Sequence, residues 1–169
     1  MIITQEIDTN NIEECNILCR LKMIYGKEGN YKIENKDNKI VIYYEGENNV
    51  LYKEDYYKLE KIVIHIPSIH VVDGTRHNME ILLYHSASLY KPVSNNKLII
   101  SMFADVTDEH SSSDDFFKYF VDEIPNKSKR ILNYPKDFNI INILPSKKSF
   151  FIYFKDETKM IIFSEPISV

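Results

Sequence analysis

Between Tyr57 and Ser86 the chain reads YKLEKIVIHIPSIHVVDGTRHNMEILLYHS. Two apolar runs of strand length lie in it, Leu59–Ile66 and Met79–His85, parted by a polar connection containing Asp73-Gly74. In the first run Ile62, Val63, Ile64 and Ile66 leave no polar face apart from His65, which predicts a strand covered on both sides. A chain built on such a strand must bring material over both faces of its sheet. A histidine inside such a run is chemically conspicuous.

The rest of the chain also reads as strands. Asn16–Tyr25, Lys39–Tyr44, Val50–Lys53, Lys97–Val106, Phe150–Phe154 and Met160–Val169 are apolar stretches separated by turn residues, such as Glu45-Gly46-Glu47-Asn48-Asn49. Lys155–Lys159 reads as a short hairpin turn. One helix is expected at Asp114–Ile124, where Phe117, Phe120, Val121 and Ile124 recur at helical spacing. Ser112 with Asp115 forms a start resembling a capping box, and Pro125 closes the segment. No internal repeat or linker interrupts residues 1–169, so a single domain is expected. The predicted fold is mostly β, α+β at the margin: one twisted central sheet with one helix near 114–124.

Composition excludes several functions. With 44% hydrophobic and 12% aromatic residues, this is a folding chain rather than a disordered one. A net charge of −4 gives no global basic field for nucleic acid or an anionic membrane. No apolar run approaches the roughly 20 residues of a membrane span, and the first residues lack the pattern of a signal peptide. Heavy use of Ile, Lys and Asn, with Lys far above Arg, suggests an AT-rich genome. Cys15 and Cys19, about 13 Å apart if Asn16–Tyr25 is extended, are expected as free thiols. The compartment is left open.

Several short segments fall in an order that resembles the α-carbonic anhydrases. These are His70-Val71-Val72-Asp73-Gly74, Glu80-Ile81-Leu82-Leu83-Tyr84-His85, Ile143-Leu144-Pro145, Phe151-Ile152-Tyr153 and Ile161-Ile162-Phe163-Ser164-Glu165-Pro166-Ile167-Ser168. The resemblance implies a carbonic-anhydrase-like sheet, shortened at both ends relative to the family domain. It also implies where the family's three zinc-binding histidines would fall: Val63, His65 and Leu82. A zinc catalyst needs three protein ligands and an open fourth position, and neither valine nor leucine has a lone pair to give. The family glutamate before the middle histidine is Ile69 here, its proton-shuttle histidine falls on Asn38, and its water-orienting threonine has no counterpart, since Thr158 lacks the surrounding motif. His70 and Glu80, which support the metal site in the family, are kept. The resemblance therefore points to the acatalytic branch, with no catalytic residue, no metal and no cofactor. Within that branch Leu98–Phe103, the helix after Asp108 and Leu144-Pro145-Ser146-Lys147 are similar to poxvirus envelope proteins with a carbonic-anhydrase-like ectodomain, which attach virions to sulfated glycosaminoglycans.

Other groupings have simpler explanations. Asp105, Asp108, Glu109, His110, Asp114 and Asp115 match no calcium loop and read as a solvated approach to a helix N-terminus. His77 and His85 are not placed to replace a lost ligand, the latter by strand parity. No nucleophile elbow and no glycine-rich phosphate loop is present. Lys127, Lys129, Arg130, Lys136, Lys147 and Lys148 form the one dense cationic zone of the sequence, a candidate site for a polyanion. Three functions stay open: a binding module for host-surface glycan or protein, a structural subunit of a virion or larger complex, and a residual zinc hydratase.

Overall fold

The computed structural model describes residues 5–11, 13–15, 20–26, 30–36, 39–87, 97–111, 113–121, 130–132, 140–145 and 149–169. The strands are β1 (Gln5–Ile7), β2 (Glu13–Cys15), β3 (Leu21–Ile24), β4 (Asn30–Lys36), β5 (Lys39–Glu45), β6 (Asn49–Tyr52), β7 (Asp55–His65) and β8 (His70–Val72). They continue as β9 (Thr75–Arg76), β10 (Met79–Ala87), β11 (Lys97–Asp105), β12 (Arg130–Leu132), β13 (Phe150–Lys155), β14 (Thr158–Phe163) and β15 (Ile167–Ser168). A helix, α1 (Asp114–Val121), and a 3-10 turn at Ile140–Ile143 lie between β11 and β13.

Twelve of these strands form one sheet, with the path β12-β4-β5-β7-β10-β11-β14-β13-β2. β15 extends the line of β14 alongside β11, while β6 and β3 extend the sheet beside the first half of β7. The central pairs β5–β7, β7–β10 and β10–β11 are antiparallel, whereas β11 and β14 run parallel. A parallel neighbour demands a crossover, and α1 and the 3-10 turn lie within it. A separate three-stranded sheet, β1-β8-β9, carries the Asp73-Gly74 connection. Both residues have positive φ, 46° and 76°, as a two-residue hairpin turn of the primed type requires. Asp156 and Glu157 do the same between β13 and β14, at 46° and 61°, so the expected hairpin is present.

The two-sided burial expected of β7 is observed. Ile62 and Ile64 point into the main core with Ile81 and Leu83 of β10, Ile100 and Met102 of β11, and Phe163 of β14. Phe116 of α1 and Ile140 and Ile143 of the 3-10 turn belong to the same core. Each such side chain taken out of water contributes about 1.5–3 kcal/mol. Val63 faces the other way and is 6% exposed.

Three expectations need correcting. The helix begins at Asp114 as expected, but the capping contact is one residue earlier than the Ser112–Asp115 pair: Ser111 N–H donates to Asp114 Oδ2 at 3.1 Å. Asp115 binds Lys118 instead, at 2.6 Å; Ser112 and 122–124 lie outside the described residues. The long strand begins at Asp55, four residues before the apolar run, since Asp55–Lys58 pairs with β6. And β4, rich in Asn, Lys and Glu, is a strand that no apolar alternation announces.

Candidate functional site

Strand register decides what meets on the second face of the sheet. Directly opposed residues share a face, so the pairings Val41↔Val63 and Val63↔Leu82 put these three side chains in one row across β5, β7 and β10. They form an apolar cluster, with Tyr43, Ile69, Tyr84 and Ile99 packed around it. Ile100 belongs to the main core: it pairs with Leu83, and the odd-numbered residues of β10 point inward. On the outer face β11 places Ile99 opposite Tyr84 and Ser101 opposite Leu82.

His65 sits two residues beyond Val63 on the same face, opposite Lys39 on one side and Glu80 on the other. It is half-buried, and its ring makes no hydrogen bond among the described residues. Burial pushes its pKa below the ordinary value against the pull of the Glu80 carboxylate, and the Lys39 ammonium adds to the depression.

The polar centre of this face is Glu80, which is fully buried. Its Oε2 accepts from the backbone N–H groups of Ile69 and His70 at 2.9 and 3.0 Å. Its Oε1 bonds His70 Nδ1 at 2.5 Å and accepts from the Ser101 hydroxyl at 2.6 Å. On the far side of the imidazole, His70 Nε2 meets the Tyr153 hydroxyl at 2.7 Å. Burial pushes the Glu80 carboxyl up, but the hydrogen bonds and charge of this cluster outweigh it and hold the group below its usual range. One carboxylate thus ties β8, β10 and β11 together, and through His70 reaches β13.

The donor set can be tested against a zinc ion. Of the three positions that the family resemblance assigns to the metal, one offers an imidazole and two offer only aliphatic carbon. Glu80 and His70 are saturated by each other and by their neighbours. Among the described residues no group of three His, Cys, Asp or Glu side chains converges as metal ligands do. These residues do not fit the ion.

No protein-family profile and no curated sequence matches the chain. A solved structure does: an α-carbonic anhydrase from Thermovibrio ammonificans, in complex with the inhibitor sulfanilamide. The match has a TM-score of 0.74 and 18% identity, and covers 98% of this chain and 72% of that one. The fold is carbonic-anhydrase-like.

The other sequence candidates are scattered over this carbonic-anhydrase-like frame. His85 is buried on the main-core face, as its parity requires, bonded to the Tyr25 hydroxyl at 2.9 Å; burial lowers its pKa to about 4. His77 stacks on Phe103 and bonds Asp105 at 2.8 Å, while His110 bonds Asp114, also at 2.8 Å, in solvent. Those acids therefore have partners of their own. Lys127, Lys129, Lys136, Lys147 and Lys148 lie outside the described residues, as does Asn38; Arg130 opens β12 at the sheet edge.

Sequence reading missed a second cationic grouping. Register aligns Lys32, Tyr43, Lys61 and Tyr84 in one row across β4, β5, β7 and β10. Lys36 and Lys39 oppose each other one strand-end away. These lysines are at least 66 residues from the cationic zone at 127–148, counting from Lys61 to Lys127. Only the pairing of strands makes them neighbours.

Proposed function

We propose that the chain is a non-catalytic carbonic-anhydrase-like protein, serving as a viral adsorption module that binds sulfated glycans of the host surface. The observation that carries the non-catalytic part is the apolar Val41–Val63–Leu82 cluster at the place where a zinc site would need imidazoles. The retained His70–Glu80 pair fits a structural role, since its bonds tie β8 to β10, β11 and β13. With the interior committed to packing, recognition falls to the outside, where lysines outnumber arginines and group locally despite the negative net charge.

Retention of the whole protein on immobilised heparin and chondroitin sulfate, against desulfated heparin, tests the glycan reading. Retention that requires sulfate and is released by moderate salt is expected, because exposed charges are screened within about 8 Å at physiological ionic strength. Flow-through on every matrix at low salt would reject the glycan role and leave a structural subunit of a larger assembly.

A further inference from the structure

The outer face of the sheet holds three rows of directly opposed residues. The first runs Lys32–Tyr43–Lys61–Tyr84–Ile99 across β4, β5, β7, β10 and β11. The middle row is Glu34–Val41–Val63–Leu82. The third is Lys36–Lys39–His65–Glu80. Strands stand about 4.8 Å apart, so the Cα atoms of Lys32 and Lys61 are separated by about 10 Å, and the third row lies about 13 Å from the first.

Four lysines on this face outnumber the acids beside them, Glu34, Glu45 and Glu60. Glu34, 6% exposed at its side chain, meets Lys32 at 3.2 Å and Lys36 at 2.5 Å, and those two lysines remain 41% and 47% exposed. Glu80 is buried and turned to His70, so it offers nothing to a ligand above the sheet. Glu60, the extra residue of the β-bulge in β7, is an exposed acid beside Lys61, and Glu45, two residues on from Tyr43, is another on this face. A surplus of positive charge is therefore fixed on rigid strands, not on loops.

The aromatic residues bear on which polyanion fits. The ammonium groups of Lys32 and Lys36 stand over the Tyr43 ring at 5.6 and 5.8 Å, and that of Lys61 stands over Tyr84 at 4.9 Å. Each ring thus has a lysine ammonium within cation–π range of its face, the face on which a nucleobase would stack. Point cations held at fixed spacing without an open stacking platform suit a chain of sulfate esters, not a single-stranded nucleic acid.

We propose that the β4-β5-β7-β10 face, through Lys32, Lys36, Lys39 and Lys61, is the docking surface for a linear sulfated glycan lying across the strands. This rests on the glycan reading above and places its site on the sheet instead of at 127–148.

The test compares elution from heparin for the whole protein, a Lys32→Glu/Lys39→Glu/Lys61→Glu variant, a Lys127→Glu/Lys129→Glu/Lys147→Glu/Lys148→Glu variant, and a Lys53→Glu/Lys155→Glu control. Melting curves accompany each, and a Lys→Gln version of the sheet variant replaces it if charge reversal disturbs folding. The sheet variant should elute at clearly lower salt and bind about tenfold more weakly, on the scale of three exposed ion pairs lost; the other two should elute like the wild type. Wild-type retention that the sheet variant keeps in full would overturn the placement while leaving glycan binding intact. No wild-type retention at all would overturn both. Stronger retention on single-stranded DNA than on heparin, lost in the sheet variant, would overturn the choice of ligand.

Discussion

Replacing Glu80 by leucine should destabilise the protein more than any other single change on the outer face of the sheet. The substitution removes an acceptor that serves two backbone N–H groups, the His70 imidazole and the Ser101 hydroxyl, in a place without solvent access. Each buried donor left without a partner costs about 1–3 kcal/mol. Breaking a buried charge-assisted pair from one side costs about 3–5 kcal/mol. Some donors will find water or turn, so the lower figure, about 3 kcal/mol, is the expected minimum. For a chain of 169 residues this is a fall in melting temperature of roughly 6–12 °C. The assay is thermal unfolding by circular dichroism at pH 7, with exposed Glu109→Leu as the control. Acid dependence gives a second readout. The folded-state pKa of Glu80 is depressed, so its contribution is present above the unfolded carboxylate value and is lost as pH falls through the folded one. The variant should lose that part of the acid slope. A melting temperature within a degree of wild type would refute the reasoning.

His85 should make the fold sensitive to mild acid. Its folded pKa is about 4 against about 6.5 unfolded, so the unfolded state takes up the proton first and stability falls by on the order of 3 kcal/mol between those values. His85→Leu, which leaves the Tyr25 hydroxyl without its partner, should be less stable at pH 7 but show a flatter slope from pH 7 to 4; an unchanged slope would count against the assignment. Gly46→Ala would place a Cβ 2.0 Å from the Tyr44 hydroxyl and 2.4 Å from its ring, so urea denaturation should show a loss of about 1–3 kcal/mol. Val63→His/Leu82→His would set imidazoles opposite each other and beside His65, and should bind zinc or cobalt where the wild type does not. Metal uptake by that variant no greater than wild type would mean that the register does not build the site.

The parts of the fold legible in the sequence are those where periodicity and burial coincide. β7, β10 and β11 announce themselves because an apolar run of that length has no alternative but a covered strand, and the turn at 156–157 because a short polar link joins two such runs; the β8–β9 hairpin at 73–74 lies inside what reads as one polar connection. β4 was hidden because its outward residues are Lys32, Glu34 and Lys36 and its inward ones are only Tyr31 and Ile33. The His70–Glu80 pair was legible through family resemblance, but the Ser101 and Tyr153 partners were not. Serine and tyrosine carry no pattern until β11 and β13 are laid beside them. The lysine rows failed to show for the same reason, since cross-strand neighbours are far apart in sequence.

Metal content tests the central claim most directly. Protein purified without chelator, incubated with excess zinc and passed through a desalting column should carry no stoichiometric metal and leave the rate of CO₂ hydration at that of buffer, because Val63 and Leu82 give the ion nothing to bind. One tightly held zinc per chain, with hydration accelerated and then abolished by a chelator, would contradict it.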